Sequence, residues 1–268
     1  MKKEDIIELN KKQKEFYNTK KRNFVTEMWS KIRGGLLGKI RKSIGIQQEA
    51  YKLHQSWFGD LSQKRVLDLG CYSGNNLSLY LAQNSKEYIG LDLSDVAIEK
   101  LNQKLKDIPT ANAIAADFLS DADFPDKDFD LIYAYGVLHH FQDVDMLINR
   151  LNQKLAPNGE IISYDPLETS LPIKIVRAAY RPFQSDKDWE WPFTKKTYYK
   201  FDKAFDITER RGVLGKSKWF FLLNFVPMNE EKRQAIGRRW HKEDWETSQT
   251  CDSSMFSCMH LTMKMQKR

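Results

Sequence analysis

Between residues 64 and 164, short apolar runs alternate with helical stretches, and this alternation restricts the chain to few folds. The runs 65–69, 88–93, 113–117, 129–135 and 160–164 read as strands. Residues 75–82 put Leu77, Tyr80 and Leu81 on one helical face, and Ser94 is a suitable N-cap for the helix DVAIEKLNQKLKD. Leu147, Ile148, Leu151 and Leu155 make the next apolar stripe, closed by a turn at Pro157, Asn158 and Gly159. Strands joined by helices of this length imply right-handed crossovers and a parallel sheet covered on both faces. Such sheets bind ligands at the carboxyl ends of their strands. That rule marks 68–74, Asp92, Asp117, 135–140 and Asp165 as one rim.

The flanks have a different character. Residues 1–60 read as basic helices, with 14 Lys and Arg against 7 Asp and Glu, whereas 61–268 carry 29 of each, so the whole net charge of +7 lies in the first 60 residues. The segment MWSKIRGGLLGKIRKSIGI mixes apolar residues with Lys31, Arg33, Lys39, Arg41 and Lys42, the composition of an interfacial helix. After Asp165 the rhythm breaks into an irregular, aromatic-rich insertion at about 166–204. Beyond it, 205–213 reads as a strand, NEEKRQAIGRRWHKEDW as a helix, and MFSCMHLTMKMQ as a last strand entering the sheet antiparallel. The expected division is a helical basic extension over 1–60 and one domain over 61–268.

Cys71, Cys251 and Cys258 form no CxxC pair, so neither a disulfide framework nor a metal site is expected. The first residues carry charges where a signal peptide needs an apolar run, and WFFLLNFVPM is too short to span a bilayer, so a cytoplasmic location is expected.

The stretch VLDLGCYSGNN (66–76) sits where strand passes to helix. A dinucleotide fingerprint starting at Gly70 would need glycines where Tyr72 and Asn75 stand, and no GK[ST] follows for a P-loop. Gly70 and Gly74 still bracket a tight turn, and Asp92 follows Gly70 by 22 residues. A carboxylate there takes both hydroxyls of an unphosphorylated ribose. The expected ligand is a nucleoside without a pyrophosphate.

VLDLGCYSGNN, GLDLS, AADF, FDLIYAYGVLHHF and LAPNGEII, in this order, resemble the motifs of class I S-adenosylmethionine-dependent methyltransferases, particularly the small-molecule branch similar to ubiquinone and menaquinone biosynthesis enzymes. The resemblance covers about 64–163 and implies a Rossmann-like, seven-stranded, mostly parallel sheet with helices on both faces. It implies S-adenosyl-L-methionine as cofactor and S-adenosyl-L-homocysteine as product. Asp68, Gly70, Cys71 and Gly74 would line the methionine part. Asp92 would hold the ribose, Leu93 would pack on the adenine, Asp117 would accept from its amino group with Phe118 beside it, and Tyr135 would close the site near the methyl group. With no pyrophosphate to cradle, only Gly70 needs bare backbone, and Tyr72 is expected to point away.

Methyl transfer is an in-line displacement at a carbon activated by a positive sulfur, so the enzyme chiefly aligns and desolvates the reactants. A hydroxyl acceptor also needs a base, and His140, His139 and Asp165 lie on the rim; a histidine pair here also serves simple packing, and Asp before Pro also forms turns. AYGVLHH stands where methyltransferases of base amines carry [DN]PP[YF], which favours O- or C-methylation of a small metabolite, sugar or lipid-linked precursor. Trp189, Trp191, Arg177 and Arg181 are candidate acceptor-binding residues in an aromatic lid. Tyr17 resembles the N-terminal tyrosine that closes over the cofactor in relatives, and equally suits helix packing. Peripheral contact with anionic membrane is assigned to 28–46. Two rival readings stay open: an RNA methyltransferase guided by the basic extension, and a non-catalytic cofactor-binding module.

Overall fold

The computed structural model describes residues 3–19, 42–120, 128–184 and 187–268, with 27, 28, 31, 35 and 38. Seven strands form one sheet: β1 Arg65–Leu69, β2 Glu87–Asp92, β3 Ala111–Ala115, β4 Phe129–Tyr135, β5 Leu155–Pro166, β6 Phe205–Val213 and β7 His260–Lys267. Their order is β3-β2-β1-β4-β5-β7-β6. All neighbours from β3 through β5 run parallel, and β7 enters antiparallel between β5 and β6, as expected of the last strand. The chain steps outward from β1 to β3 and then returns to place β4 on the other side of β1, so strand order reverses at the β1 and β4 tips, where such sheets open a crevice.

The described helices are α1 Lys3–Thr19, α2 Ile46–Phe58, α3 Asn76–Asn84, α4 Asp95–Leu105, α5 Val144–Lys154, α6 Leu171–Tyr180, α7 Lys195–Ala204, α8 Glu230–Thr250 and α9 Asp252–Ser257. Side-chain alternation assigns β1 to two cores. Val66 packs with Tyr88, Tyr133 and the apolar faces of α2, α3 and α4, while Leu67 and Leu69 join Ile89, Ile132, Phe201 and Met263 on the opposite face.

α2 is wedged into this structure rather than appended to it. Its Ala50, Trp57 and Phe58 are buried, and His54 joins two strands: its Nε2 lies 2.7 Å from Thr262 Oγ1 and its Nδ1 lies 3.1 Å from the Tyr133 hydroxyl. The Thr262 hydroxyl donates to Ser163 O, so Nε2 carries the imidazole proton and Nδ1 accepts from Tyr133. Burial lowers His54 to about 3, which keeps it neutral. The boundary expected at residue 60 thus follows directly on a helix packed into the β1 and β4 core.

Two local expectations are corrected. Residues 255–257, read as strand, finish α9, where Met255 and Phe256 are buried, and β7 starts only at His260. β5 starts at Leu155 and includes the expected 157–159 turn, with Asn158 at φ 63° and a register irregularity opposite Phe129 and Leu131. Most of 28–46, including Arg33, Lys39 and Arg41, lies outside the described residues. No described helix is long and apolar enough to cross a membrane.

Candidate active site

The turn after β1 is fixed by its backbone. Gly70 donates to Leu91 O at 2.7 Å and has φ 70°, and a side chain there would collide with Val137. The Asn75 side chain then caps α3, accepting from Leu77 at 2.7 Å and from Ser78 at 3.1 Å. Between these anchors Cys71 takes the inward position, buried in the core of α3 and α4, which sends Tyr72 to the rim at φ 47°. The expectation that Tyr72 points away is therefore corrected: it lines a cavity of about 240 Å³, its ring centroid 6.4 Å from that of Tyr17.

The same cavity is lined by Gly70, Asp92, Leu93, Asp117, Phe118, Tyr135 and His140. Asp92 is oriented by backbone: Oδ2 accepts from Tyr72 N–H at 3.0 Å and Oδ1 from Ser94 N–H at 2.9 Å. Burial raises its carboxyl above the usual range, with these N–H donors opposing the shift. Asp117 accepts from Leu119 N–H at 3.0 Å and, across the cavity mouth, from the Asn10 amide at 2.6 Å. The ring of Tyr135 is stacked on Tyr164 at 4.8 Å and 8°, which fixes its plane.

Asp68, Cys71 and Gly74 are not on the cavity wall. Asp68 sits on the opposite face of β1, buried beneath the Tyr88 hydroxyl that donates to it at 2.8 Å, and burial raises it to about 6. Gly74, at φ 73°, makes room for Leu101.

Of the three candidate proton acceptors only His140 reaches the cavity. His140 lines the cavity; its Nδ1 is 2.7 Å from Trp189 O and its Nε2 is 3.3 Å from the Tyr17 hydroxyl. A carbonyl only accepts, so Nδ1 carries the proton in the neutral ring and Nε2 is left as an acceptor. His139 and Asp165 are buried behind it, with Nδ1 2.9 Å from Oδ1, and Asp165 also accepts from His139 N–H at 3.2 Å. Burial pushes Asp165 up to about 7.

The aromatic insertion acts through its backbone. Trp189 O holds His140, and Trp191 N–H donates to His139 O at 2.7 Å. The Trp189 ring is buried against Phe16. Arg177 and Arg181 do not line the cavity; they belong to α6 and the turn after it.

Among the wall residues that sequence reasoning missed are the polar Asn10 and Gln13. A signal existed: Asn10, Gln13 and Tyr17 recur at three and four residue spacing, one face of α1. Lys14 meets Asp95 at 2.7 Å, and Ser94 donates to Asn18 at 2.6 Å, so α1 lies along the β2 and β3 tips as well. Among the described residues no group of three His, Cys, Asp or Glu side chains is arranged to hold a metal.

Comparison with known proteins gives a consistent family. The methyltransferase domain family matches residues 45–210, more than half of the chain. Over 106 residues the chain is 32% identical to tRNA U34 carboxymethyltransferase of Nautilia profundicola, covering 38% of this chain and 34% of that protein. Over 95 residues it is 38% identical to trans-aconitate 2-methyltransferase of Methylobacterium radiotolerans, covering 35% of each. The chain thus spans about a third of these curated relatives. The fold is shared with the N-methyltransferase NodS of Bradyrhizobium japonicum, solved with S-adenosylhomocysteine, at TM-score 0.50 and 16% identity over 82% of this chain and 87% of that one.

Proposed function

This chain belongs to the methyltransferase domain family, and on that premise we propose that it transfers a methyl group from S-adenosylmethionine to the hydroxyl of a small acceptor. The cofactor would supply a methyl carbon activated by its positive sulfur. The chain's own residues fit such a group. The Asp92 carboxylate, preset by Tyr72 and Ser94, keeps lone pairs for two ribose hydroxyls. Asp117 can accept from an adenine amino group, with Leu93 and Phe118 as flanking apolar surface. Tyr17, Tyr72 and Tyr135 line the cavity with aromatic rings, whose faces attract a sulfonium as they attract other cations.

His140 is the residue we assign to the acceptor's proton. Its Nε2 faces the cavity as an acceptor while Trp189 O retains Nδ1–H, so it can take a proton without changing orientation. Tyr17 would yield its hydrogen bond to the entering hydroxyl. α1 covers the reacting region and excludes water through Gln13, Phe16 and Tyr17. A small metabolite, sugar or lipid-linked precursor is the acceptor class this reading favours, supported by a base at the site and by AYGVLHH after β4.

One observation carries the reading: Asp92, Asp117, the bare backbone of Gly70 and the Nε2 side of His140 line a single cavity at adjoining strand ends. Calorimetric titration of the full chain tests it. Saturable binding of S-adenosylhomocysteine with none of NAD is expected, followed by methyl transfer to a pool of hydroxylated metabolites detected by mass spectrometry. A folded chain that ignores S-adenosylhomocysteine at millimolar concentration would refute it.

A further inference from the structure

An amphipathic helix on a globular protein normally turns its apolar face to the core. α6 does the reverse. Leu171 is 69% exposed and Ile175 61%, with Val176 also exposed, and none of residues 171–179 is buried. At 3.6 residues per turn these three side chains share one outward arc, while Lys174, Arg177 and Arg181 form a stripe along its flank. The segment from Trp219 to Val226 repeats the pattern, with Trp219, Leu222, Phe225 and Val226 exposed, Phe225 by 82%. Among the described residues, these two regions and Phe183 contribute eight of the twelve exposed large hydrophobic side chains. The apolar surface is concentrated rather than scattered, which marks an interaction face.

Topology puts both regions on one edge of the sheet. α6 leaves the carboxyl end of β5, and the Trp219 segment follows the carboxyl end of β6. Because β7 is antiparallel to both, β5 and β6 run the same way. The cavity lies on this edge too, at the carboxyl ends of β1, β2 and β4.

Charge selects the partner. From 169 to 185 the chain carries Lys174, Arg177 and Arg181 and no acid, in a protein with 36 Asp and Glu; beside the second region Lys218 is buried and Lys216 pairs with Glu243, so the cations of this face are those of α6 and the turn after it. An exposed apolar arc flanked by cations fits a bilayer whose headgroups are anionic. We propose that α6 and residues 219–226 form a docking face for an anionic phospholipid membrane, holding the cavity edge at the lipid surface. The proposal does not depend on the methyl-transfer reading, because vesicle binding is measured without any acceptor.

Co-sedimentation of the full chain with vesicles of phosphatidylglycerol and phosphatidylcholine, against phosphatidylcholine alone, tests it. Partition at least about tenfold stronger onto the anionic vesicles is expected from three surface cations. Ile175→Glu with Val176→Glu should abolish sedimentation while S-adenosylhomocysteine binding stays intact, since neither residue touches the cavity. Lys174→Gln with Arg177→Gln and Arg181→Gln should weaken it at least tenfold, and this variant decides the matter if the apolar one fails to fold. No binding to anionic vesicles, or equal binding by the variants, overturns the proposal. So does a wild-type dimer that the apolar variant converts to monomer, which would mean that a second copy covers the face.

Discussion

A carboxylate that already accepts two backbone N–H groups has little rotamer freedom left to lose when a ligand arrives, and Asp92 is in that state. On the proposed reading, replacing it with alanine would strand two ribose hydroxyls and release the Tyr72 and Ser94 amides together. At about 1.5 kcal/mol for each of two charge-assisted bonds, S-adenosylhomocysteine affinity in Asp92→Ala should fall at least roughly a hundredfold by calorimetry; an unchanged value removes Asp92 from the ribose. His140 makes a different demand. His140→Ala should lower kcat by about a hundredfold or more and leave cofactor affinity within a few-fold, because general-base catalysis is lost while binding contacts remain. Wild-type rates across pH would end the base assignment. The rim positions of Asp92 and Asp117 were legible in the sequence because strand ends on a parallel sheet converge. The placement of Tyr72 was not, since it depends on Cys71 taking the interior and on the turn entering the left-handed region.

Elements are tied together here by polar bonds that periodicity does not announce. His54 connects α2 to β4 and β7 across 79 and 208 residues of sequence, so only the fold reveals it. Its folded pKa of about 3 lies below the ordinary 6.5, so below 6.5 the unfolded chain binds a proton that the native chain refuses, and stability falls as pH drops from 6.5 toward 3. His54→Gln should be less stable than wild type at pH 7 in chemical denaturation. At pH 5 that gap should narrow by about 2 kcal/mol, because the variant escapes the proton-linked loss. A gap that stays constant shows that His54 is not the linked group. Strand positions were readable from apolar runs except at the start of β5, where Pro157, Asn158 and Gly159 carry a turn signature, and at 255–257, where burial in a short helix and burial in a strand leave the same apolar signature. Asn10, Gln13 and Tyr17 were readable as one face of α1, but not what that face would meet.

For the molecule as a whole, the sheet supplies a fixed rim and α1 supplies the cover. α1 is held by polar links from Asn10 to Asp117, Lys14 to Asp95, Asn18 to Ser94 and Tyr17 to His140 and by the ring of Phe16 against Trp189, few contacts for a helix of 17 residues. A ligand beneath it should therefore restrain α1 far more than distant helices. Hydrogen exchange with S-adenosylhomocysteine at a hundred times Kd should slow residues 8–19 by at least roughly tenfold and leave α8 almost unchanged; equal slowing in both, or none in α1, contradicts a cover that closes on ligand. The parallel half of the fold was legible because each strand and helix there bury a face that sequence can display. α6 was not, since its outward apolar arc has the same spacing as an inward one.

The insertion of β7 between β5 and β6 bears on how the protein is made. As the nascent chain leaves the ribosome, β5 and β6 emerge well before the strand that joins them, and each must wait with an open edge. A translational stop before residue 260 would therefore do more than shorten the product: it would leave β6 without its sheet partner and expose β5, with Met263 and Met265 missing from the core. Such truncated chains should be clients of chaperones and proteases rather than smaller working enzymes.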